Sequence, residues 1–343
     1  MKHLLGTDPM NSFWKLVCAS IVLLFAIDTQ AAQPTRFNVI YSTIGPPTAP
    51  LWIAKEKGLF EKHGLSVDLV FIESGPRSVQ ALLSGDALVV TSAGPAVASA
   101  RLSGADVVMI AGLVNVFPFF LVTHSGVDSP AALKGKIGAT QVFGSGGDLS
   151  LRMGLRKLGL DPERDVTLRV IGGSTLRIQA LEKKLVDFAM LEPMVMFRAK
   201  KSNLKILVDF TQKGIPYQHT GMITLNSSIK KNRPLIINFL KAVGEGIAFY
   251  KCHKQETIAI MAKYTRLDDP EVLEASYDWF KKVFLNVPYP TSDGFESILE
   301  MLSTYTGRKG VSHLEPGALV DRSLLEELVK GGFFRSLDEC SRN

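Results

Sequence analysis

Carboxylates and small hydroxyl residues, not nucleophiles or metal ligands, are the chemically capable side chains of this sequence. Glu73-Ser74-Gly75, Thr91-Ser92, Ser174 and Glu192 stand at or just after runs rich in apolar and β-branched residues, where strand ends present side chains and amides to a small molecule. Hydroxyls donate and accept hydrogen bonds, whereas an ionised carboxylate only accepts, so such a set can hold a polar solute. His63, His124, His219, His253 and His313 are isolated, with no HExxH and no Cys or His spacing suited to zinc. Gly144-Ser145-Gly146 lacks the GxSxG elbow, and Cys252-His253 sits in an expected helix, where adjacent residues do not face each other. The expectation is a binding protein with no catalytic residue, no metal and no cofactor.

These residues need a scaffold, and residues 50–70, PLWIAKEKGLFEKHGLSVDLV, spell its unit: a helix, two glycine stops and a strand. Gly58 suits a left-handed helix end, and VDLVFI suits a half-buried strand. With FNVIY upstream this makes a strand, helix and strand, hence a parallel crossover. The alternation continues through residues 77–124, restarts near LKGKIGAT and runs to about residue 210. Residues 221–226 then form a strand that returns to the first unit, and the remainder is helical, padding that unit and the hinge. The apolar stretch 107–122 is broken by Gly112, Asn115 and Pro118, so it reads as two buried strands rather than a membrane span. The fold class is α/β, with two lobes of mostly parallel sheet flanked by helices.

In open α/β sheets ligands bind outside the carboxyl ends of the strands, which selects the loops. The first lobe offers Ser42 and Thr43, Ser74 and Gly75, Thr91 and Ser92, with Trp52 near the first loop and Asn115 and Phe117 on a later one. Each hydroxyl has helix capping as its alternative role, and Trp52 has the core. The second lobe offers Gly144, Ser145 and Gly146, then Ser174 and Glu192. Amides at the Gly144 loop attract anions, but Asp148 can cap its own helix and occupy them, leaving a plain turn as the alternative. Glu192 either accepts from a ligand donor, bridges the lobes to a basic residue, or complements a helix start.

A chain of 343 residues with 46% hydrophobic and 21% charged content builds substantial cores. The net charge of +6 is dispersed in short pairs such as Lys200-Lys201, so nucleic acid is not expected. Residues 1–32 read as a cleavable leader: Lys15 precedes a short apolar run, small residues follow, and translation starting at Met10 gives a compact version. Cys18 lies before that run and lacks the small neighbours of a lipidation site. In an oxidising compartment Cys252 and Cys340 have two open outcomes, a disulfide or two thiols.

Taken in order, PLWIAKEKGLFEKHGLSVDLV, ALLSGDALV, LKGKIGAT, LRKLGLDPERDVTL and VDFAMLEP give a pattern over roughly residues 37–226. It resembles the periplasmic solute-binding proteins of ABC importers, in the branch that holds nitrate, taurine, aliphatic sulfonate and thiamine-precursor binders. The resemblance implies a type II periplasmic binding fold with a ligand cleft between lobes, the first formed by residues 36–124 and 221–343, the second by 125–220. Crossings would fall near residues 121–128 and 217–222. It implies a monomer in the periplasm that passes a small polar organic solute, of sulfonate, nitrate-like or pyrimidine class, to a permease and its ATPase. Two other roles share this fold: an extracytoplasmic sensor, and a pyrimidine-precursor synthase that uses pyridoxal phosphate and iron. The synthases carry a cysteine-rich motif that this chain lacks.

Overall fold

The computed structural model describes residues 34–337, apart from 125, 200–201 and 307–310. The expected leader, Cys18 and Cys340 lie outside the described residues; Cys252 is disulfide-bonded.

The first half alternates as expected: β1 (Thr35–Tyr41), α1 (Ala49–Glu56), α2 (Leu59–Lys62), β2 (Leu65–Phe71), α3 (Gly75–Ser84), β3 (Val89–Ala93), α4 (Gly94–Leu102), β4 (Val107–Val116). Gly58 closes α1 at φ 64° and Gly85 closes α3 at φ 86°, left-handed conformations that carry no Cβ penalty in glycine. The second half follows with β5 (Phe120–His124), β6 (Ile137–Thr140), α5 (Gly146–Lys157), β7 (Thr167–Val170), α6 (Ser174–Glu182), β8 (Phe188–Leu191), α7 (Pro193–Ala199), β9 (Leu204–Asp209) and β10 (Pro216–Leu225). Among the described residues six α-helices follow: α8 (Asn226–Cys252), α9 (Lys254–Thr265), α10 (Pro270–Val283), α11 (Asp293–Thr306), α12 (Ser323–Lys330) and α13 (Phe333–Leu337). Asn232, at φ −125° before Pro234, divides α8 into two helical pieces. Asp269 caps α10, accepting from the amides of Glu271 and Val272.

The strands form two sheets of the same design, ordered β2-β1-β3-β10-β4 and β7-β6-β8-β5-β9. In each, a parallel trio adjoins one antiparallel strand, β10 in the first and β5 in the second. This is a two-lobed type II fold. The apolar stretch around residues 107–122 is indeed two buried strands, and no helix among the described residues is long and apolar enough to cross a membrane.

The passages between sheets lie elsewhere than expected. Residues 120–124, assigned to the first lobe from sequence, pair with β8 and β9 of the second sheet, so the first passage is the short segment 117–119. The second occupies residues 210–215, because β10 begins at Pro216, before the expected strand at 221. Aromatic rings fill the space between them: Phe117 meets Phe119 at 4.8 Å, Tyr217 at 5.0 Å and Phe210 at 5.7 Å, all edge-on. Each such pair contributes about 0.5–1.5 kcal/mol beyond its area burial. The C-terminal helices reach further than the first lobe, since α10 also packs on α7 of the second.

At the start of the second sheet, Asp187 accepts from the Ile137 amide at 2.8 Å and pairs with the His124 ring at 3.0 Å. Burial raises its pKa, but the Ile137 amide, His124 and Lys136 outweigh that and hold the carboxyl below its ordinary range. A depressed folded pKa stabilises the fold above the unfolded value, about 3.9, and that contribution is lost as pH falls through the folded one. Asp187→Asn is therefore expected to lower Tm at pH 7 and to flatten the fall of Tm between neutral and acidic pH. A Tm-against-pH series checks it, and parallel curves for the two proteins contradict the role given to Asp187.

Candidate functional site

Because the parallel strands of both sheets end on the same cleft, the loops after them face one another. From the first lobe come Ser42 and Thr43 after β1, Glu73 after β2, Gly75 at the start of α3, and Thr91 and Ser92 at the end of β3. From the second come Gln141 after β6, Gly146 at the start of α5, Ser174 and Arg177 on α6, and Glu192 after β8. His219 of β10 joins them, and Phe280 of α10 forms part of one wall. They form a cavity of about 260 Å³ with an inner extension of about 30 Å³; Ser42, Thr43, Gln141, Glu192 and His219 line both.

Glycines let the lobes approach. A Cβ on Gly146 would stand 2.7 Å from the Cβ of Ala93, and one on Gly173 would stand 2.9 Å from Glu73 Oε1. Real Cβ contacts do not come that close, so this closed arrangement requires glycine at Gly146, whereas at Gly173 the flexible Glu73 side chain can swing aside.

The electrostatics centre on one buried cation beneath one carboxylate. Arg177 is 1% exposed; it donates through Nη1 to the Met190 carbonyl and through Nη2 to Ser174 Oγ at 2.7 Å. Its Nη2 lies 3.8 Å from Glu192 Oε2, and Ser174 donates its hydroxyl to that same oxygen. Burial pulls the guanidinium below its usual pKa while Glu192 and Glu73 pull it back up. Burial pushes the Glu192 carboxyl up against the opposing pull of Arg177. Both line the cleft, but the Glu192 side chain keeps 22% exposure against 1% for Arg177, so the carboxylate is far more accessible than the cation. His219, 6% exposed, is driven by burial down to about 3 and is neutral; its Nδ1 lies 2.7 Å from Thr220 Oγ1. At the inner end Ser92 is 2% exposed and its Oγ has no hydrogen-bond partner. A buried hydroxyl left unmatched costs free energy, which a polar group in the inner extension would recover.

Of the residues selected from sequence, Ser42, Thr43, Gly75, Thr91, Ser92, Gly146, Ser174 and Glu192 line this cleft. The others have different places. Trp52 is fully buried in the first lobe, stacked on Tyr264 at 4.8 Å, because α1 turns its apolar face to the core. Asn115 is consumed in the hinge, donating to the Tyr289 carbonyl at 2.7 Å and accepting from Gln218 at 2.9 Å. Phe117 belongs to the aromatic cluster between the passages. Ser74 is 1% exposed and lies behind Gly75 with its Oγ unpartnered. Gly144 donates its amide to Asp148 at 2.9 Å, and Ser145 Oγ accepts from the Asp148 amide, so the Gly144 turn is closed by its own helix and not held open for an anion.

Gln141, Arg177, His219 and Phe280 were not selected from sequence. Gln141 follows strand KIGAT directly, and that position was a usable signal. Arg177 stands three residues after Ser174, the spacing that puts both on one helix face. The strand carrying His219 begins earlier than its pattern suggested, and nothing local in helix α10 announces Phe280 as a cleft wall.

A family model described as NMT1/THI5 like matches residues 46–257. A Bacillus subtilis (strain 168) protein, YtlA, described as a candidate binding protein, is 27% identical across 93% of this chain and 99% of its own. Among solved structures, a Bordetella bronchiseptica protein superposes with TM-score 0.75 at 19% identity, covering 91% of this chain and 99% of that one. The periplasmic aliphatic sulphonate binding protein SsuA of Escherichia coli gives 0.67 at 18% identity, covering 84% and 92%. At these identities the two structures speak for the fold alone.

The Gly146 contact gives a direct test of lobe closure. Gly146→Val is expected to wedge the lobes apart, raising the radius of gyration in small-angle X-ray scattering relative to the closed wild type, with Tm little changed. An unchanged scattering profile contradicts the closed contact with Ala93.

Proposed function

The chain belongs to the NMT1/THI5-like family, and from that premise we propose that it is the extracytoplasmic solute receptor of an ABC importer. It captures one small polar organic molecule in the cleft, closes on it as a monomer, and delivers it to a membrane permease driven by a cytoplasmic ATPase. The lobes divide at residues 117–119 and 210–215, and the exported chain works in the periplasm. The observation that carries this reading is the cleft itself: Ser42, Thr43, Thr91 and Ser92 of one lobe oppose Gln141, Ser174 and Glu192 of the other across a small cavity. A ligand touching both sides favours the closed state by its differential affinity for it, which is how a receptor signals loading.

Native mass spectrometry of gently purified protein tests the receptor role: a stoichiometric small molecule, lost on denaturation, is expected. Glu192→Ala and Thr91→Ala are each expected to weaken its retention about tenfold or more, from the loss of a buried hydrogen bond; Tm without ligand shifts little in Thr91→Ala and falls in Glu192→Ala, which strips the buried Arg177 of its carboxylate. Unchanged retention in both variants removes this cleft as the site.

A further inference from the structure

The cleft is polar within and apolar at its mouth, and its charges are unequally accessible. Glu73 and Glu192 are the carboxylates that reach the cavity, whereas the sole cation lining it among the described residues, Arg177, is sealed beneath Ser174 and Glu192. Both Nη groups of Arg177 are already committed to Met190 and Ser174. An anionic ligand would meet two carboxylates before any positive side chain. Hydroxyls serve either sign of ligand, so the carboxylates decide. Glu192 Oε2 takes the Ser174 hydroxyl, and Oε1 takes no side-chain donor among the described residues. Close by, the buried Ser92 hydroxyl is unmatched. At the other end Ile44, Phe71 and Leu176 line the mouth while being 41%, 39% and 49% exposed. Exposed apolar side chains gathered around a cavity mark a surface that a bound partner covers.

Resting on the receptor reading above, we propose that the solute is a cationic amphiphile: a protonated amine held by Glu192 with Ser92 and Thr91 around it, and an apolar body lying against Ile44, Phe71 and Leu176. An ammonium brings three donors and no acceptor, which matches a carboxylate and hydroxyl oxygens. A charge-assisted bond of this kind carries the selectivity. The apolar body accounts for a mouth that the polar head would leave uncovered.

The test is titration calorimetry with matched pairs that differ only in the head group: butylamine, cyclohexylamine and 2-phenylethylamine against butanesulfonate, cyclohexanesulfonate and 2-phenylethanesulfonate. At least one amine is expected to bind, about tenfold or more tighter than its sulfonate twin, the range that one charge-assisted hydrogen bond spans. Glu192→Gln, which keeps the shape and removes the charge, is expected to erase that preference, and Ser92→Ala to weaken the amine alone. Glu73→Gln, at the exposed rim, serves as a second carboxylate variant should Glu192→Gln unfold. Equal or tighter binding of sulfonates, no binding by any amine, or an amine affinity indifferent to both carboxylates overturns the proposal. Retention of an anionic or neutral molecule in native mass spectra would overturn the cation while leaving the receptor standing.

Discussion

The molecule depends on how its chain passes twice between two sheets. Only residues 117–119 and 210–215 make these passages, and the rings of Phe117, Phe119, Phe210 and Tyr217 pack between them. Polar groups finish the joint: Gln218 is fully buried, donates to Asn115 and accepts from the Thr291 amide, while Asn115 donates to the Tyr289 carbonyl. Gly112 donates its amide to the Pro288 carbonyl. The segment 288–291 therefore lies strapped over the joint, tying the C-terminal helices to the strands on which the lobes turn. Buried polar groups satisfied this fully specify one arrangement, since shifting any one strands its partners.

Placing both antiparallel strands beside the joint also orients the rest. With β10 and β5 running against their neighbours, the parallel trios of the two sheets point their carboxyl ends into one cleft. Small residues then set how near the lobes come, and Gly146 against Ala93 is the tightest example. The cost of the site is concentrated at Arg177, a cation removed from water beneath the floor of the cavity. Its hydrogen bonds to Met190 and Ser174 and the nearby Glu192 offset that cost, and in doing so fix the orientation of the carboxylate that faces the cleft.

Most of the scaffold is legible in the sequence, because local periodicity and glycine stops act within a few residues. Gly58 and Gly85 end helices as their types require, and Asp269 caps α10 as its position before Pro270 suggests. Strand ends were harder: β10 runs from Pro216 although its apolar pattern is clear only from Gly221, because PYQHT carries polar residues that the hinge buries and pairs. The candidate site was legible where small residues stand near the carboxyl end of a strand: Ser42 just after β1, Thr91 within the end of β3, and Ser174 at the start of the helix that follows β7. Packing gave Trp52 the core role that stood as its alternative, stacked on Tyr264, and spent the Asn115 amide on a hinge tie to the Tyr289 carbonyl.

The sequence by itself determined the alternation of strands and helices and the loops available to a ligand, because each follows from residues close together along the chain. Tertiary structure decided where the chain crosses between sheets, that Phe280 closes a wall of the cleft, that Asp148 spends its charge on its own helix, and that Arg177 is hidden while Glu192 is not. Those outcomes depend on burial and on contacts between segments far apart in sequence. A side chain's type fixes its chemistry; only the packed fold fixes whether water, another residue or a solute receives it.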